Sequence, residues 1–460
     1  MSTWPKANDP IVKVSSVARH IHGWSWATYP VVMGTGAVYL TLSALKDHPP
    51  WLHTMEIVFW SISIFIWTLN ALILTLQAIL FPQRTLRLIQ HPVEGSFVPL
   101  MALCLAPIFL GTLTYGKVSA GFAYILFWLY VSVALSICLP MLVVWFAEPH
   151  DLTHFTPAYA FLIFPMMLVG VVAFSVIRVM DPTQGRTMGV LLVGYFFQGL
   201  GFFMTFFYLC IYVMKIMTTG IYEGHQANAA FIVCGPPGFT AFALINLSKY
   251  SRQILASQPD LEISGEMWYS TNVLAALMLY GLAIYFFAFD VLPYWNKLHR
   301  TRQGLDEILG YWALTFPNVG WIQATRSFGD VFGYEVFNKI HLIMTIIICC
   351  IWGILVVLTA KAFWKRKILI SSADDVLKDA WLWPRRPAGT GPVLVHEDLE
   401  SAVAFQRSPM GNGGPGLSSG TTTASVSMVN LGKPDLDMYQ RPTRPATRFY
   451  ESTDRTKEDR

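Results

Sequence analysis

Five prolines recur at a similar depth in apolar segments of this 460-residue chain, and each could expose backbone groups that bind a ligand. They are 66 to 81 residues apart, about the length of two membrane-spanning helices with their loops. A proline that breaks a helix frees carbonyl and NH groups, which a bilayer tolerates only against protein or a water-filled path. The pattern therefore predicts a substrate path along the proline-containing segments. The predicted breaks are Pro30, Pro99, Pro165, the pair Pro236 and Pro237, and Pro317.

Polar side chains near these breaks could contact a solute in the path. Thr35, Thr240 and Asn318 could hydrogen-bond a passing anion, although bonding between helices is an equal alternative. Gly235 and Phe239, which flank the Pro236–Pro237 pair, are placed on the same predicted path.

Aromatic rings also flank the breaks. A ring that points into a narrow apolar pore can gate it by excluding water, while packing in the core is the alternative for each ring. The rings are those of Tyr29, Phe164, Phe239 and Phe316.

Charged residues avoid the middle third of every apolar segment. Glu56, Lys215 and Asp290 fall at segment ends, where we expect them to reach headgroups or water. A neutral pore can still select anions, because half-helix N-termini carry partial positive charge. Basic residues at the mouths would raise the local anion concentration, with ordinary interfacial contacts as the alternative for each. These residues are Arg178, Lys249 and Arg326.

Composition indicates the elements that carry these residues. Apolar residues make up 54% of the chain and charged residues 13%, against about 25% charged in soluble domains. Apolar runs of bilayer length predict an all-α integral membrane protein with ten transmembrane helices. The runs are 24–46, 56–81, 96–114, 121–146, 156–177, 188–214, 228–248, 267–290, 309–328 and 338–363.

The alternation of the segments predicts five helical hairpins around a central pore. The first helix of each hairpin contains a break, and the second is long and aromatic, as expected of an outer ring that faces lipid.

The distribution of Lys and Arg predicts the orientation. With ten helices both termini lie on one side, and that side carries 13 Lys and Arg residues against 8 on the other, which favours cytoplasmic termini. The predicted organisation is a cytoplasmic N-terminal tail at 1–23, a transmembrane transport domain at 24–365 and a disordered cytoplasmic tail at 366–460. The tail is rich in Gly, Ser and Thr, which cannot bury enough apolar surface to fold.

Several functional classes are disfavoured. The six cysteines all fall in apolar segments, so we expect no disulfide and no metal site. The motif of zinc proteases and the complete motif of nucleotide-binding loops do not occur, which argues against an enzyme, and we expect no cofactor. A net charge of +4 without a basic patch does not suggest nucleic acid.

Five motifs over about residues 20–365 resemble the fungal malic acid permeases of the tellurite-resistance/dicarboxylate transporter family, also described as voltage-dependent anion channel-like. They are GWSWATYPVVMGTGAV, HPVEGSFVP, GYFFQGLGF, FIVCGPPGFTAFALINL and YWALTFPNVG. The resemblance implies ten helices as five hairpins around a pore, often in a homotrimer. It also implies a gate at Phe316, because channel members close the pore with an aromatic residue of the ninth helix.

The resemblance implies plasma-membrane transport of small anions, C4-dicarboxylates such as malate first among them. The malic acid permeases commonly carry Arg-Pro-Gly-Met-Phe before the Gly-Pro-Pro, where this chain has Ala-Asn-Ala-Ala-Phe at 227–231. This chain thus has Ala227 where those permeases have an arginine that could pair with a carboxylate. Another organic acid, or efflux of sulfite or another inorganic anion by the same fold, therefore stays open. A membrane receptor or enzyme is the alternative from another class.

Overall fold

Helices form all the regular structure that the computed structural model describes, which covers residues 14–147, 149–151, 155–221, 226–258, 260–300 and 304–379. In chain order the α-helices are α1 Ser16–Gly23, α2 Tyr29–Ser43, α3 Pro50–Leu80, α4 Pro82–Gln90, α5 Leu100–Leu103, α6 Leu105–Tyr115, α7 Ala120–Phe146, α8 Phe164–Met167, α9 Val169–Ile177, α10 Gly185–Thr219, α11 Gln226–Ala229, α12 Gly235–Ala256, α13 Glu262–Arg300, α14 Phe316–Phe332, α15 Glu335–Trp364 and α16 Ala373–Asp379. These residues belong to one unit, Met1–Leu399.

Among the described residues, seven helical stretches are long and apolar enough to cross a bilayer, and Phe164–Ile177 is a shorter apolar stretch. The chain is therefore an all-α integral membrane protein that crosses the bilayer several times. The seven stretches are Pro50–Leu80, Gly95–Tyr115, Ala120–Phe146, Gly185–Thr219, Ala227–Ala256, Ile263–Val291 and Glu335–Trp364.

The spanning stretches differ sharply in burial, which sorts them into an inner and an outer set. In α3, α7, α10, α13 and α15, only 17–33% of the residues in the most apolar 18-residue stretch are buried. The proline-containing stretches Gly95–Tyr115 and Ala227–Ala256 are 56% and 83% buried. The outer helices thus present their apolar side chains outward, as the sequence predicted for a ring in contact with lipid.

In each proline-containing segment a 3₁₀-helix precedes an α-helix that begins at or next to the proline. The residue before the proline opens the α-helix in four segments, and Pro99 is the N-cap of α5. Proline suits these positions because its φ is fixed and the first helical turn needs no NH donor. The predicted breaks are therefore changes of helix type. The 3₁₀-helices are Trp26–Thr28, Gly95–Phe97, Pro157–Leu162, Ala230–Cys234 and Leu305–Leu314.

Side chains of the outer helices satisfy backbone carbonyls near these junctions. The Tyr130 hydroxyl of α7 donates to the carbonyl of Pro165 at 3.0 Å. The Trp67 indole of α3 donates to the carbonyl of Met101 at 3.1 Å, beside the interruption between α5 and α6. Irregular backbone in a bilayer needs such donors, so the outer helices hold the inner ones in their interrupted shape.

The segment that follows α15 packs against α1. Asp379 of α16 accepts a hydrogen bond from His22 Nε2 at 2.9 Å and also pairs with Arg87 of α4. Ser371 contacts His22 Nδ1 at 2.8 Å, and its NH donates to the carbonyl of Arg19 at 3.1 Å. Burial lowers the pKa of His22, so the ring is neutral at neutral pH and donates from Nε2. The predicted tail at 366–460 thus begins with a helix that is packed, and its residues from 380 lie outside the described part of the chain.

Candidate functional site

A cavity of about 250 Å³ lies where the five proline-containing segments converge. Every one of the five contributes to its wall, and the lining side chains are apolar apart from Thr156. An apolar space of this size can admit a small solute but offers it few polar partners. The wall is formed by Pro30, Met33, Val93, Phe97, Leu100, Thr156, Ala158, Phe161, Ala229, Ile232, Leu309, Gly310, Trp312, Ala313, Phe316 and Pro317.

Phe316, the predicted gate, lies in this wall at the first residue of α14. Its side chain is buried, and its ring stacks on Phe239 with the centroids 5.0 Å apart and the planes 28° apart. The structure therefore joins the predicted gate to one predicted path residue, although Phe239 itself is not in the wall.

A third buried ring approaches the same place. A Cβ built on Gly235 would lie 3.0 Å from the Phe164 ring and 3.6 Å from Cα of Pro317. Gly235 thus permits the fifth, seventh and ninth apolar segments to pack closely. On the predicted path it is a point of close packing between segments, not a contact with a solute. A larger residue there would push apart the segments that carry Phe164 and Phe316.

Trp312 is a wall residue that the sequence reasoning missed. It is 1% exposed, and its indole donates to Thr359 Oγ1 at 3.0 Å. A Cβ on Gly34 would lie 2.4 Å from the Trp312 ring, so only glycine leaves room for it there. Its position four residues before Phe316, in the motif YWALTFP, was the available signal.

The predicted proline breaks contribute unequally to the cavity. Pro30 and Pro317 are in the wall, whereas Pro99, Pro165, Pro236 and Pro237 are not. The last four are buried at helix starts. All four lie at the N-cap or in the first turn of an α-helix, where they orient the helices that carry the wall without lining it themselves.

The three predicted polar contacts with a solute are used inside the protein and lie outside the wall. Thr35 donates to the carbonyl of Val31 at 2.8 Å and accepts from the Trp352 indole at 3.1 Å. The alternative reading, bonding between helices, therefore describes Thr35 best.

Thr240 and Asn318 are also engaged inside the protein, Thr240 with α10 and Asn318 within α14. Thr240 donates to the carbonyl of Pro236 at 2.7 Å and accepts from Gln198 Nε2 at 2.9 Å. Asn318 accepts from the Trp321 indole at 2.9 Å. Neither the periodicity of the apolar residues nor the position of a residue along its segment could show which side of each helix faces the cavity.

The predicted basic residues lie toward the C-terminal ends of α9, α12 and α14, opposite to the prolines. Arg178 is exposed and donates to Thr114 Oγ1 at 3.0 Å. Lys249 and Arg326 share Asp330, with Lys249 Nζ 3.9 Å from its carboxylate. Asp330 offsets part of the positive charge of this pair, which weakens its field on an approaching anion.

Three charges expected to reach water are instead buried. Glu56 is 1% exposed, Asp290 3% and Lys215 7%. The Tyr212 hydroxyl donates to Asp290 Oδ1 at 2.5 Å, and Lys215 donates to the carbonyl of Phe155 at 2.7 Å. The expectation was wrong because α3, α10 and α13 extend beyond the apolar runs, so packed protein continues where the runs begin or end.

Comparison with known proteins places the chain in a family. Residues 23–360 match the family described as voltage-dependent anion channel. The malic acid transport protein of Schizosaccharomyces pombe is 26% identical, over 80% of this chain and 84% of that protein. A putative malic acid transport protein of the same organism is 24% identical, over 80% of this chain and 86% of its own length. The sulfite efflux pump of Trichophyton rubrum is 24% identical, over 73% of this chain and 89% of that protein. The chain belongs to the voltage-dependent anion channel family.

Proposed function

We propose that this protein moves small anions across a membrane through the cavity at the convergence of the five proline-containing segments. The single observation that carries the proposal is that all five segments contribute to one wall. Such a wall is what a pore on the axis of five helical hairpins would have. Ten transmembrane helices follow if α2, the stretch Phe164–Ile177 and α14 cross the bilayer in addition to the seven longer stretches.

Phe316 gates the path in this proposal. Its ring lies in the wall and stacks on Phe239, so turning it aside would open the apolar constriction to water. The wall contains no acidic or basic side chain among the described residues. The driving force is accordingly the anion gradient with the membrane potential, and attraction comes from helix N-termini and from Arg178 at the far end.

The cargo we propose is a C4-dicarboxylate such as malate. The two relatives named as malic acid transport proteins support it, because each aligns over 80% of the chain. A wide apolar cavity with a single hydroxyl, that of Thr156, leaves the carboxylates to be met mainly by backbone dipoles.

Sulfite efflux is the second candidate. The stretch 227–231 lacks the arginine of the malic acid permeases, and Ala227 occupies its position, two residues before Ala229 of the cavity wall. The difference therefore lies next to the wall rather than in it. The relative named a sulfite efflux pump supports this candidate as well.

Tracer flux into proteoliposomes at a fixed membrane potential separates the two cargoes. The purified chain is compared with protein-free liposomes for labelled malate and labelled sulfite. The proposal expects malate flux well above the protein-free rate and above sulfite flux. Selective sulfite flux would assign the second candidate, and the absence of both fluxes from folded protein would reject anion transport of either kind.

The plasma membrane, cytoplasmic termini and a homotrimer complete the proposal. The excess of Lys and Arg on the side of the termini supports the orientation. Protease protection of an epitope placed after residue 379 in intact cells would test it. The mass of the purified protein, after subtraction of detergent, would test the trimer.

A further inference from the structure

Two histidines and a glutamate converge at the start of α3, on the same side of the bundle as Arg178. His48 lies in the connection between α2 and α3, and His53 and Glu56 lie on the first turns of α3. Their ligand atoms all lie within 4.8 Å of one another. His48 Nε2 is 3.1 Å from Glu56 Oε1, and His53 Nδ1 is 3.8 Å from Glu56 Oε2.

These separations fit a single transition-metal ion. Donors that bind a tetrahedral ion at about 2.0–2.1 Å lie about 3.4 Å from each other. The observed distances, 3.1 Å to one carboxylate oxygen and 3.8 Å to the other, fall on either side of that value, so rotations of the exposed imidazoles would bring one donor of each residue to this spacing. Two imidazoles with one carboxylate are a donor set that Zn²⁺ accepts, with water as the fourth ligand.

The burial pattern supports a bound cation. The Glu56 side chain is only 2% exposed, whereas those of His48 and His53 are 36% and 56% exposed. A carboxylate so deeply buried needs compensation of its charge, which a bound cation would supply. The exposed histidines leave an entry route from solvent.

A supporting residue orients the carboxylate. The hydroxyl of Tyr115, the last residue of α6, donates to Glu56 Oε2 at 3.0 Å, and its ring lies 5.5 Å from that of His53. Hydrogen bonds of this kind fix ligating carboxylates in metal sites. We propose that His48, His53 and Glu56 form a zinc site that ties the α2–α3 connection to α3 and, through Tyr115, to the end of α6.

This inference differs from the sequence expectation of no metal site, which considered the cysteines. It does not depend on the cargo, and transport of malate, sulfite or neither leaves it intact. The spacing His-x₄-His-x₂-Glu joins a loop to a helix, so only the fold shows that the three side chains converge.

Zinc titration of the full-length, tag-free, chelator-washed protein tests the site. By calorimetry we expect saturable binding of one Zn²⁺ per chain. His48→Ala and His53→Ala should each lower the affinity at least about tenfold, and Tyr115→Phe should lower it by about tenfold through the supporting hydrogen bond. His91→Ala, which removes an exposed histidine outside the cluster, is the matched control and should bind as the unchanged protein does.

A spectroscopic readout identifies the ligands independently. Co²⁺ should give the visible absorption of a four-coordinate site in the unchanged protein and in His91→Ala, and lose it in the two cluster variants. Equal melting temperatures without metal would show that the variants fold, since both imidazoles are exposed. Absence of saturable binding, or binding by His48→Ala and His53→Ala equal to that of the control, would overturn the site.

Discussion

Individual aromatic side chains, rather than polar ones, define the candidate path. Phe316 and Trp312 occupy the wall, and Phe239 supports Phe316 from behind. The threonines and the asparagine that could have met an anion are engaged with their own helices or neighbours. A gate built from a ring works by excluding water, so its removal should increase passage.

Phe316→Ala should therefore raise anion flux. Loss of the ring removes the constriction, and we expect an increase of about tenfold, equivalent to a barrier lower by about 1.4 kcal/mol. Tracer flux in proteoliposomes is the measurement. Phe328→Ala is the matched control, because Phe328 is a buried phenylalanine on the same helix that lies outside the wall. Unchanged flux in folded Phe316→Ala, or an equal rise in Phe328→Ala, would remove Phe316 from the gate.

Pro30, Pro317 and Phe316, which the sequence assigned to a substrate path, lie in the wall of the cavity. Their part in transport stays a prediction. Phe316 was singled out through a family resemblance, since spacing alone could not choose among four rings. Trp312 was missed because a tryptophan in an apolar run is equally suited to lipid and to a cavity.

The elements show how backbone geometry positions the rings. At the crossing of α12 and α14 a Cβ on Gly320 would lie 2.3 Å from the backbone nitrogen of Phe239. A Cβ on Gly238 would lie 2.7 Å from the nitrogen of Trp321. Backbone cannot yield as a flexible side chain can, so these glycines fix the approach that stacks Phe239 on Phe316.

Gly320→Ala should destabilise the protein. The added methyl meets backbone and must push the two helices apart, for which overpacking costs of about 1–3 kcal/mol are usual. Thermal unfolding of the detergent-solubilised protein measures the change. Gly353→Ala on α15 is the control, because no heavy atom lies within 4 Å of its built Cβ. The control should gain up to about 1 kcal/mol from helix propensity, and equal melting temperatures for the two variants would contradict the close crossing.

The packing of α16 against α1 makes a second prediction for an element. Asp379→Asn removes the charge that pairs with Arg87 while keeping a polar side chain, and hydrogen bonds to charged groups contribute about 1.5–3 kcal/mol. We therefore expect limited proteolysis to cleave the Asp379→Asn variant within residues 365–379 faster than the unchanged protein.

Asp374→Asn is the control, since Asp374 is an exposed aspartate on the same helix. Proteolysis that is equally slow in both variants would show that Asp379 does not hold this segment.

Helix types and ends were the least predictable features of the elements. Apolar runs located α7 and α15 to within a few residues, but the run for α3 began too late and those for α10 and α13 ended too early. A run ends where polar residues begin, whereas a helix can continue into packed protein beyond it. That difference explains why Glu56, Lys215 and Asp290 are buried and why the convergence of Glu56 with His48 and His53 was not foreseen.

The part of the molecule that the structure describes follows the alternation of the sequence. The segments with the predicted proline breaks are mostly buried, and the long helices between them are mostly not. The sequence could predict this order of inner and outer helices, because a buried helix contains more small and polar residues than a helix that faces lipid. The position and size of the cavity were not, since they depend on rotations of five helices that share no strong periodicity.

Blocking the cavity tests the central claim most directly. Ala313→Trp places a large ring in the wall of the 250 Å³ space, whereas Ala360→Trp adds the same ring to an exposed position on α15. Malate and sulfite flux are measured for both variants in proteoliposomes after confirmation that each is folded. The account predicts that Ala313→Trp loses at least about tenfold in flux, equivalent to about 1.4 kcal/mol, and that Ala360→Trp keeps the rate of the unchanged protein. Full flux through a folded Ala313→Trp would contradict the cavity as the path.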